Sequence, residues 1–262
     1  MKTNSEKYTV IIPVHNLDKE LFEFSIQSVQ NQKLRPNEVI LVVKNGTESH
    51  EYLKTYDNKT DMLITVVDHN DDDGFQSQLN LGVSKCTTEW FVFLEQDDEL
   101  SSIWVDNVEL YSKSYPETNI FLPLIYEMDN ENNFKGFSNE AAWADGFSDE
   151  MGFLDVDVLL LSSHFNFSGM AVRTEAYNSV GKMKVNMKLT FMYEFLLRMA
   201  EYDNKPMIIP KLGYKHVNGL KGSLGEEYRS SMDPVEAKWW VKKAKQEYIH
   251  TKDRELTYHT NE

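Results

Sequence analysis

A run of large apolar residues, Trp90-Phe91-Val92-Phe93-Leu94, ends abruptly in Glu95-Gln96-Asp97-Asp98, with Glu99 next. No polar residue interrupts the run, so it reads as a strand covered on both faces. Carboxylates clustered at the end of a buried strand lose hydration and repel one another, so something positive has to sit among them. In open α/β sheets the ligand crevice lies outside the carboxyl ends of the strands. A divalent metal holding a phosphate meets both demands. Hard cations take oxygen ligands, commonly only one or two carboxylates from the protein, and as Lewis acids they neutralise charge on a departing phosphate. Asp97 and Asp98 are the candidate ligands. The alternative is an acidic cluster ahead of a helix, favoured by its dipole, and burial of the strand end argues against it.

The elements that must position these acids alternate along the first half. Residues 9–12 read as a strand closed by Pro13, and 21–30 as a helix. Residues 39–43 form a second strand ending at Lys44-Asn45-Gly46, and Thr47 can cap the helix that follows. A third strand (63–67) leads through a polar loop (68–73) and Gly74 to a helix near 76–84, and the fourth strand is the acidic one. Ser101 or Ser102 caps a helix that Pro116 stops, and 120–125 is a further apolar run. Such β-α alternation predicts an α/β fold with a mostly parallel, doubly wound sheet flanked by helices.

From about 126 to 150 the alternation fails, giving a long loop or irregular hairpin of the kind that forms a lid or acceptor surface. Beyond it come a short strand (169–172), a helix (189–202) with Phe191, Phe195, Met199 and Tyr202 on one face, and a strand (207–209). Asp233-Pro234-Val235-Glu236 opens a last helix with an N-cap, proline at N1 and a capping-box glutamate. The expected division is 1–125, 126–225 and a helical extension, 226–262.

Composition narrows the classes. At 262 residues, with 41% hydrophobic content, the chain can bury a sizeable core. A net charge of −15 argues against general nucleic-acid binding, which wants a basic face. The single cysteine, Cys86, excludes an internal disulfide and suits a reducing compartment. No stretch is long and apolar enough to span a membrane, and the polar first residues lack a signal-peptide core. A cytoplasmic location is expected, or one at the inner face of a membrane.

Read together, several segments resemble a family 2 glycosyltransferase of GT-A fold. Tyr8-Thr9-Val10-Ile11-Ile12-Pro13-Val14-His15-Asn16 is similar to the family's opening strand. Leu41-Val42-Val43-Lys44-Asn45-Gly46-Thr47-Glu48 sits where the family has Val-Asp-Asp/Asn-Gly-Ser. Gly74, Asn80 and Gly82 match its glycine and Arg-Asn-Ala-Gly segment, Glu95-Gln96-Asp97-Asp98 its Asp-X-Asp-Asp motif, and residues 191–198 its Glu-Asp-X-X-X-X-X-Arg helix. The resemblance covers roughly 8–220. It implies a nucleotide-sugar donor, UDP-sugar by default, with Mn²⁺ or Mg²⁺ as cofactor and inversion at the transferred sugar. The acceptor would be a hydroxyl of a glycan, lipid-linked or protein-linked molecule, in polysaccharide or glycan assembly.

The resemblance also places candidate residues. Pro13, His15, Asn16, Asn45, Gly46, Asn80, Glu95, Gln96 and Asp97 fall where the donor nucleotide would lie, with Glu95 reaching the ribose or a metal-bound water. Asn45-Gly46 reads equally as a plain turn or as a base contact. His216, in a glycine-flanked stretch that suits a flap over a diphosphate, is a third metal ligand beside Asp97 and Asp98, and Lys215 or Lys221 can clamp phosphate charge. The chain departs from the family at Lys44, Leu79 and Glu95, and Phe191-Met192 replaces the Glu-Asp of the usual catalytic base. Glu194 is then the nearest acid on the helix and the candidate base, although Glu194 and Arg198 also read as a surface i,i+4 pair. Asp145, Asp149 and Glu150 are rivals for the role. A catalytically silent GT-A domain that binds a glycan or protein is the alternative function. The last helix carries Ala237, Trp240, Val241, Ala244 and Tyr248 on one stripe and Lys238, Lys242 and Lys245 on another, beside Trp239. It reads as packed on the body or a second subunit, or as peripheral contact with an anionic membrane.

Overall fold

The computed structural model describes residues 3–4, 6–56, 62–70, 74–220, 223 and 230–249. In chain order the strands are β1 (Thr3–Asn4), β2 (Tyr8–Val14), β3 (Leu34–Arg35), β4 (Glu38–Lys44), β5 (Leu63–His69), β6 (Trp90–Phe93), β7 (Glu99–Leu100), β8 (Ile120–Asp129), β9 (Phe134–Ser138), β10 (Ala171–Arg173) and β11 (Met207–Asn218). The helices are α1 (Lys19–Gln30), α2 (Glu48–Lys54), α3 (Gly74–Lys85), α4 (Trp104–Ser114), α5 (Val156–Leu161), α6 (Thr174–Ser179), α7 (Phe191–Glu201) and α8 (Pro234–Glu247).

Nine strands form one sheet, ordered β5-β4-β2-β6-β10-β8-β11-β7, with β9 paired to β8. The four strands from β5 to β6 are all parallel, as the alternating pattern requires. Beyond β6 the sheet is mixed: β10 runs antiparallel to both neighbours, β8 and β11 are parallel, and β7 and β9 pair antiparallel. The parallel expectation therefore describes the first half, where helices cross between strands, and the second half is built partly from hairpins.

Strict alternation along the central strands sorts their side chains onto two faces. Ile11, Ile40, Val42, Phe91 and Phe93 pack beneath α3 and α7, whereas Val10, Ile12, Val39, Leu41, Trp90 and Val92 pack with α1 and α4. Both faces are buried, which explains the uninterrupted apolar runs. On α3, a Cβ at Gly82 would lie 2.6 Å from Ile11 Cγ2, so this glycine lets the helix sit directly on the sheet. Asp18, Thr47 and Asp233 accept backbone N–H bonds at the starts of α1, α2 and α8.

Two expectations about the second half change. The irregular segment after 125 begins as a continuation of β8, so the expected division at 125 falls inside a strand that turns back through β9. His216 sits on β11, opposite Glu127 of β8, not on a flap. Two register shifts, between Ile209 and Leu212 and between Leu212 and Tyr214, let β11 run for twelve residues, and its polar sequence hid the extension. The C-terminal helix α8 packs on the body, with Ala244 buried and Trp240, Val241 and Tyr248 against the core. Trp239 stays exposed.

Candidate active site

The chain leaves β2 toward β4 and β5, then returns to β6 on the opposite side of β2. The carboxyl ends of β2 and β6 therefore part at a topological switch point, the place where such sheets bind ligands. Gln96 ties the two lips together: its side-chain oxygen accepts from His15 N at 3.1 Å and its Nε2 donates to Asn16 O at 3.0 Å. Ser49, at the start of α2, holds the same loop from the other side, donating to His15 O at 2.7 Å and accepting from Leu17 N at 3.1 Å.

The acids lie just behind this crevice. Asp98 is 1% exposed; its Oδ2 is 2.7 Å from His216 Nδ1 and its Oδ1 accepts from Val217 N at 2.9 Å. Glu95 accepts from Ser168 Oγ at 2.5 Å, and its backbone N–H donates to the Tyr214 hydroxyl at 3.1 Å. Burial first, then the charge of Asp98, pushes the Glu95 carboxyl up to about 7, and the same two causes push Asp97 up to about 6. Burial alone would lower His216, but Asp98, with Glu95 and Glu127, pushes it up to about 10. Each shift reports negative charge that the protein only partly neutralises.

That donor set fits a hard dication. Glu95, Asp98 and His216 each offer a ligand atom, and these atoms lie within 4.8 Å of one another. Of the expected trio of Asp97, Asp98 and His216, the cluster among the described residues holds Asp98 and His216, with Glu95 beside them. The sequence could not show this, because β11 brings His216 to the strand end, where Glu95 and Asp98 lie three positions apart.

The remaining expected donor residues divide. Pro13 is buried in β2 opposite Val42, while His15, Asn16, Asn45 and Gly46 are exposed at the strand ends. A cavity of about 370 Å³ opens beside them, lined by Asn16, Leu17, Asp18, Lys19, Thr47 and neighbours on α2. Asn80, expected near the donor, is engaged by the protein itself. Its Nδ2 donates to Met183 O at 2.8 Å, and its Oδ1 accepts from Tyr177 OH at 2.6 Å and Met183 N at 3.1 Å. Asn80 anchors the loop before α7. Lys215 pairs with Glu99 at 2.8 Å, and Lys221 lies outside the described residues.

Glu194, the expected base, lies in the core. Its side chain is fully buried, bonded to Arg198 at 2.7 and 2.9 Å and to Lys184 at 2.9 Å. Arg198 in turn donates to the carbonyls of Val180 and Lys182, at 2.5 and 2.6 Å. A carboxylate held by two cations inside the core is poorly placed to meet an acceptor hydroxyl. The i,i+4 spacing is as expected, but it faces inward. Phe191, where the family has the first acid of its Glu-Asp pair, packs against Phe75 with ring centroids 5.5 Å apart.

Ser168, Tyr214 and Glu127 were not singled out by motif. Asn166 links two of them, bonding Glu127 Oε1 at 3.2 Å and Ser168 N at 3.0 Å. Asn218 donates to Glu127 Oε2 at 2.6 Å. Gly169, with φ +77, was the available signal: a Cβ there would lie 2.5 Å from the Tyr214 ring. Glycine in that conformation beside Ser168 brings Tyr214 against the acids.

The glycosyl transferase family 2 profile matches residues 9–181. Among solved structures, a crystal structure of S. aureus TarS 1-349 in complex with UDP-GlcNAc superposes with a TM-score of 0.68 at 15% identity, covering 95% of this chain and 68% of that one. The same fragment in complex with UDP gives 0.65 at 14%, covering 95% and 67%. Another TarS 1-349 structure gives 0.59 at 15% identity over 80% of this chain, which spans only 60% of that chain's length. No curated protein matches. The structural likeness speaks for the fold alone, GT-A, and the profile, covering well over half of the residues, shows that the chain belongs to glycosyl transferase family 2.

Proposed function

We propose that this domain transfers a sugar from a nucleotide-sugar donor to an acceptor hydroxyl, with a divalent cation and with inversion. The observation that carries the reading is the cluster of Glu95, Asp98 and His216 at the switch point between β2 and β6. Mn²⁺ or Mg²⁺ bound there would be held by these three side chains, with Asp97 beside them, and would supply positive charge for a diphosphate leaving group. The exposed turns at His15-Asn16 and Asn45-Gly46 would flank the nucleoside. A UDP-sugar is the default donor, since TarS was crystallised with UDP-GlcNAc and UDP. Lys44 replaces the family's usual base-reading aspartate, so GDP-sugars belong in the same test.

For the acceptor side, a glycan or a lipid- or protein-linked glycan fits the mixed half of the sheet. With Glu194 engaged in the core, the proton acceptor is assigned to the exposed acids Asp145, Asp149 or Glu150. Among the described residues no helix is long and apolar enough to cross a membrane. Contact with an anionic bilayer is assigned to Trp239 and the lysines of α8, and flotation with anionic vesicles tests it. Donor hydrolysis measured over common nucleotide sugars with Mn²⁺ tests the main reading: turnover of one donor, lost in Asp98→Ala, supports it, and no metal-dependent nucleotide binding refutes it. One observation favours a second reading. Phe191 fills the core where a base is expected, which suits a silent domain that binds glycan without transferring sugar.

A further inference from the structure

We infer that His50 is the positioning residue that sets the nucleobase side of the donor site; the inference rests on the donor reading above. His50 lies on α2, its side chain wholly buried, and plays no part in the acid cluster. Its Nδ1 accepts from the backbone N–H of Gly46 at 3.1 Å, and its Nε2 is 2.9 Å from Asp68 Oδ1. Because Nδ1 accepts, the ring proton sits on Nε2 and is donated to Asp68. Glu51 Oε1 is 3.4 Å from Nδ1, on a side chain that is 69% exposed.

A buried histidine is commonly structural, but its partner here is the turn that would face the base. Gly46 has φ +75, and no atom lies within 4 Å of where its Cβ would be, so packing does not hold that glycine. Hydrogen bonds do. Thr47 Oγ1 donates to Lys44 O at 2.8 Å, Asn45 N to His69 O at 3.0 Å, and Asn45 Nδ2 to Asn70 Oδ1 at 3.3 Å. The bond from Gly46 runs to a side chain in the buried interior, so the ring helps fix where the Asn45-Gly46 edge stands. Ser49, the preceding residue, bonds His15 O and Leu17 N, so successive side chains of α2 hold both turns of the nucleoside side. Asp68, at the end of β5, sets the ring's tautomer.

The test uses two near-isosteres. In His50→Asn the amide oxygen stands close to Nδ1 and can still accept from Gly46. In His50→Gln the amide reaches toward Nε2, and Gly46 loses its acceptor. UDP, GDP and inorganic pyrophosphate, each with Mn²⁺, are titrated into the whole chain by calorimetry. The better nucleotide is expected to weaken about tenfold in His50→Gln and less than about threefold in His50→Asn, a contrast worth roughly one hydrogen bond. Pyrophosphate should bind all three proteins alike, whereas a merely structural role would weaken nucleotide and pyrophosphate together. Equal nucleotide affinity in the three proteins overturns the inference, and so does parallel loss of pyrophosphate. Should His50→Gln not fold, Asp68→Ala, at a half-exposed position, replaces it: a loss of about threefold for nucleotide alone supports the role, and no change overturns it. A wild type that binds neither nucleotide nor pyrophosphate refutes the donor reading itself.

Discussion

Replacing Glu194 separates a structural acid from a catalytic one. In Glu194→Gln the two cations that share its carboxylate, Arg198 and Lys184, lose their counter-charge, and Arg198 is only 1% exposed. Breaking a buried pair by neutralising one partner costs about 3–5 kcal/mol, because the remaining charge stays desolvated. For a chain of this size each kcal/mol moves the melting temperature by about 2–4 °C, so a fall of roughly 6–20 °C is expected. The carbonyls of Val180 and Lys182 depend on the same guanidinium, so proteolysis should open the loop between α6 and α7 first. Scanning calorimetry reads the stability, and transfer assays well below the transition read kcat. A melting temperature unchanged within about 2 °C, with kcat down a hundredfold or more, would refute the reasoning and restore Glu194 as the base.

Two further outcomes test the geometry around the acids. Gly169→Ala forces a methyl to 2.5 Å from Tyr214 and 3.2 Å from Pro123 at φ +77, which should cost about 2–4 kcal/mol in calorimetric stability. Gly46→Ala, at φ +75 in open space, should cost only about 1 kcal/mol, and equal losses would contradict the close approach. Ser168→Ala removes the hydroxyl that holds Glu95, so Mn²⁺ affinity should fall roughly tenfold in calorimetric titration. Unchanged affinity would exclude Glu95 from the metal set.

The strand ends were legible because burial and charge conflict there. Five apolar residues running into Glu95-Gln96-Asp97-Asp98 announce both a covered strand and a need for a cation, whatever the rest of the chain does. The parallel half was legible for a related reason: β2, β4 and β6 are buried on both faces, so few polar residues blur them. β11 was not, since Lys211, Lys215 and His216 and two register shifts disguise the strand that pairs with β8. That single omission turned His216 into a flap residue and left Glu127 unnoticed. The setting of Glu194 was illegible for another reason. An i,i+4 acid–base pair looks the same on a wet face as on a dry one, and only the packing of Lys184 and the 180–182 carbonyls reveals which it is.

The two ends of the site are held by different physics, and this bears on which partial activity survives. At the acid end, buried Asp98 and half-buried Glu95 have one imidazole, a hydroxyl and an amide to share their charge, an arrangement that a dication would stabilise. At the α7 end, Phe191 stacks into a chain of rings through Phe75 to Phe93, and the nearest acid is neutralised by Arg198 and Lys184. Nothing at that end demands a ligand. On the proposed reading donor capture should therefore be robust, while proton removal from the acceptor is assigned to another part of the chain. The 144–150 segment supplies exposed carboxylates, held by Trp143 Nε1 on Ile208 O at 3.0 Å at one end and Gly152 N on Ala142 O at 2.8 Å at the other. If transfer depends on Asp145, Asp149 or Glu150 while metal-dependent donor hydrolysis does not, the catalytic base has moved from a rigid helix to a segment outside it. A pocket that keeps its electrostatics but loses the acid on α7 would show that division of activities, and a silent domain would show neither.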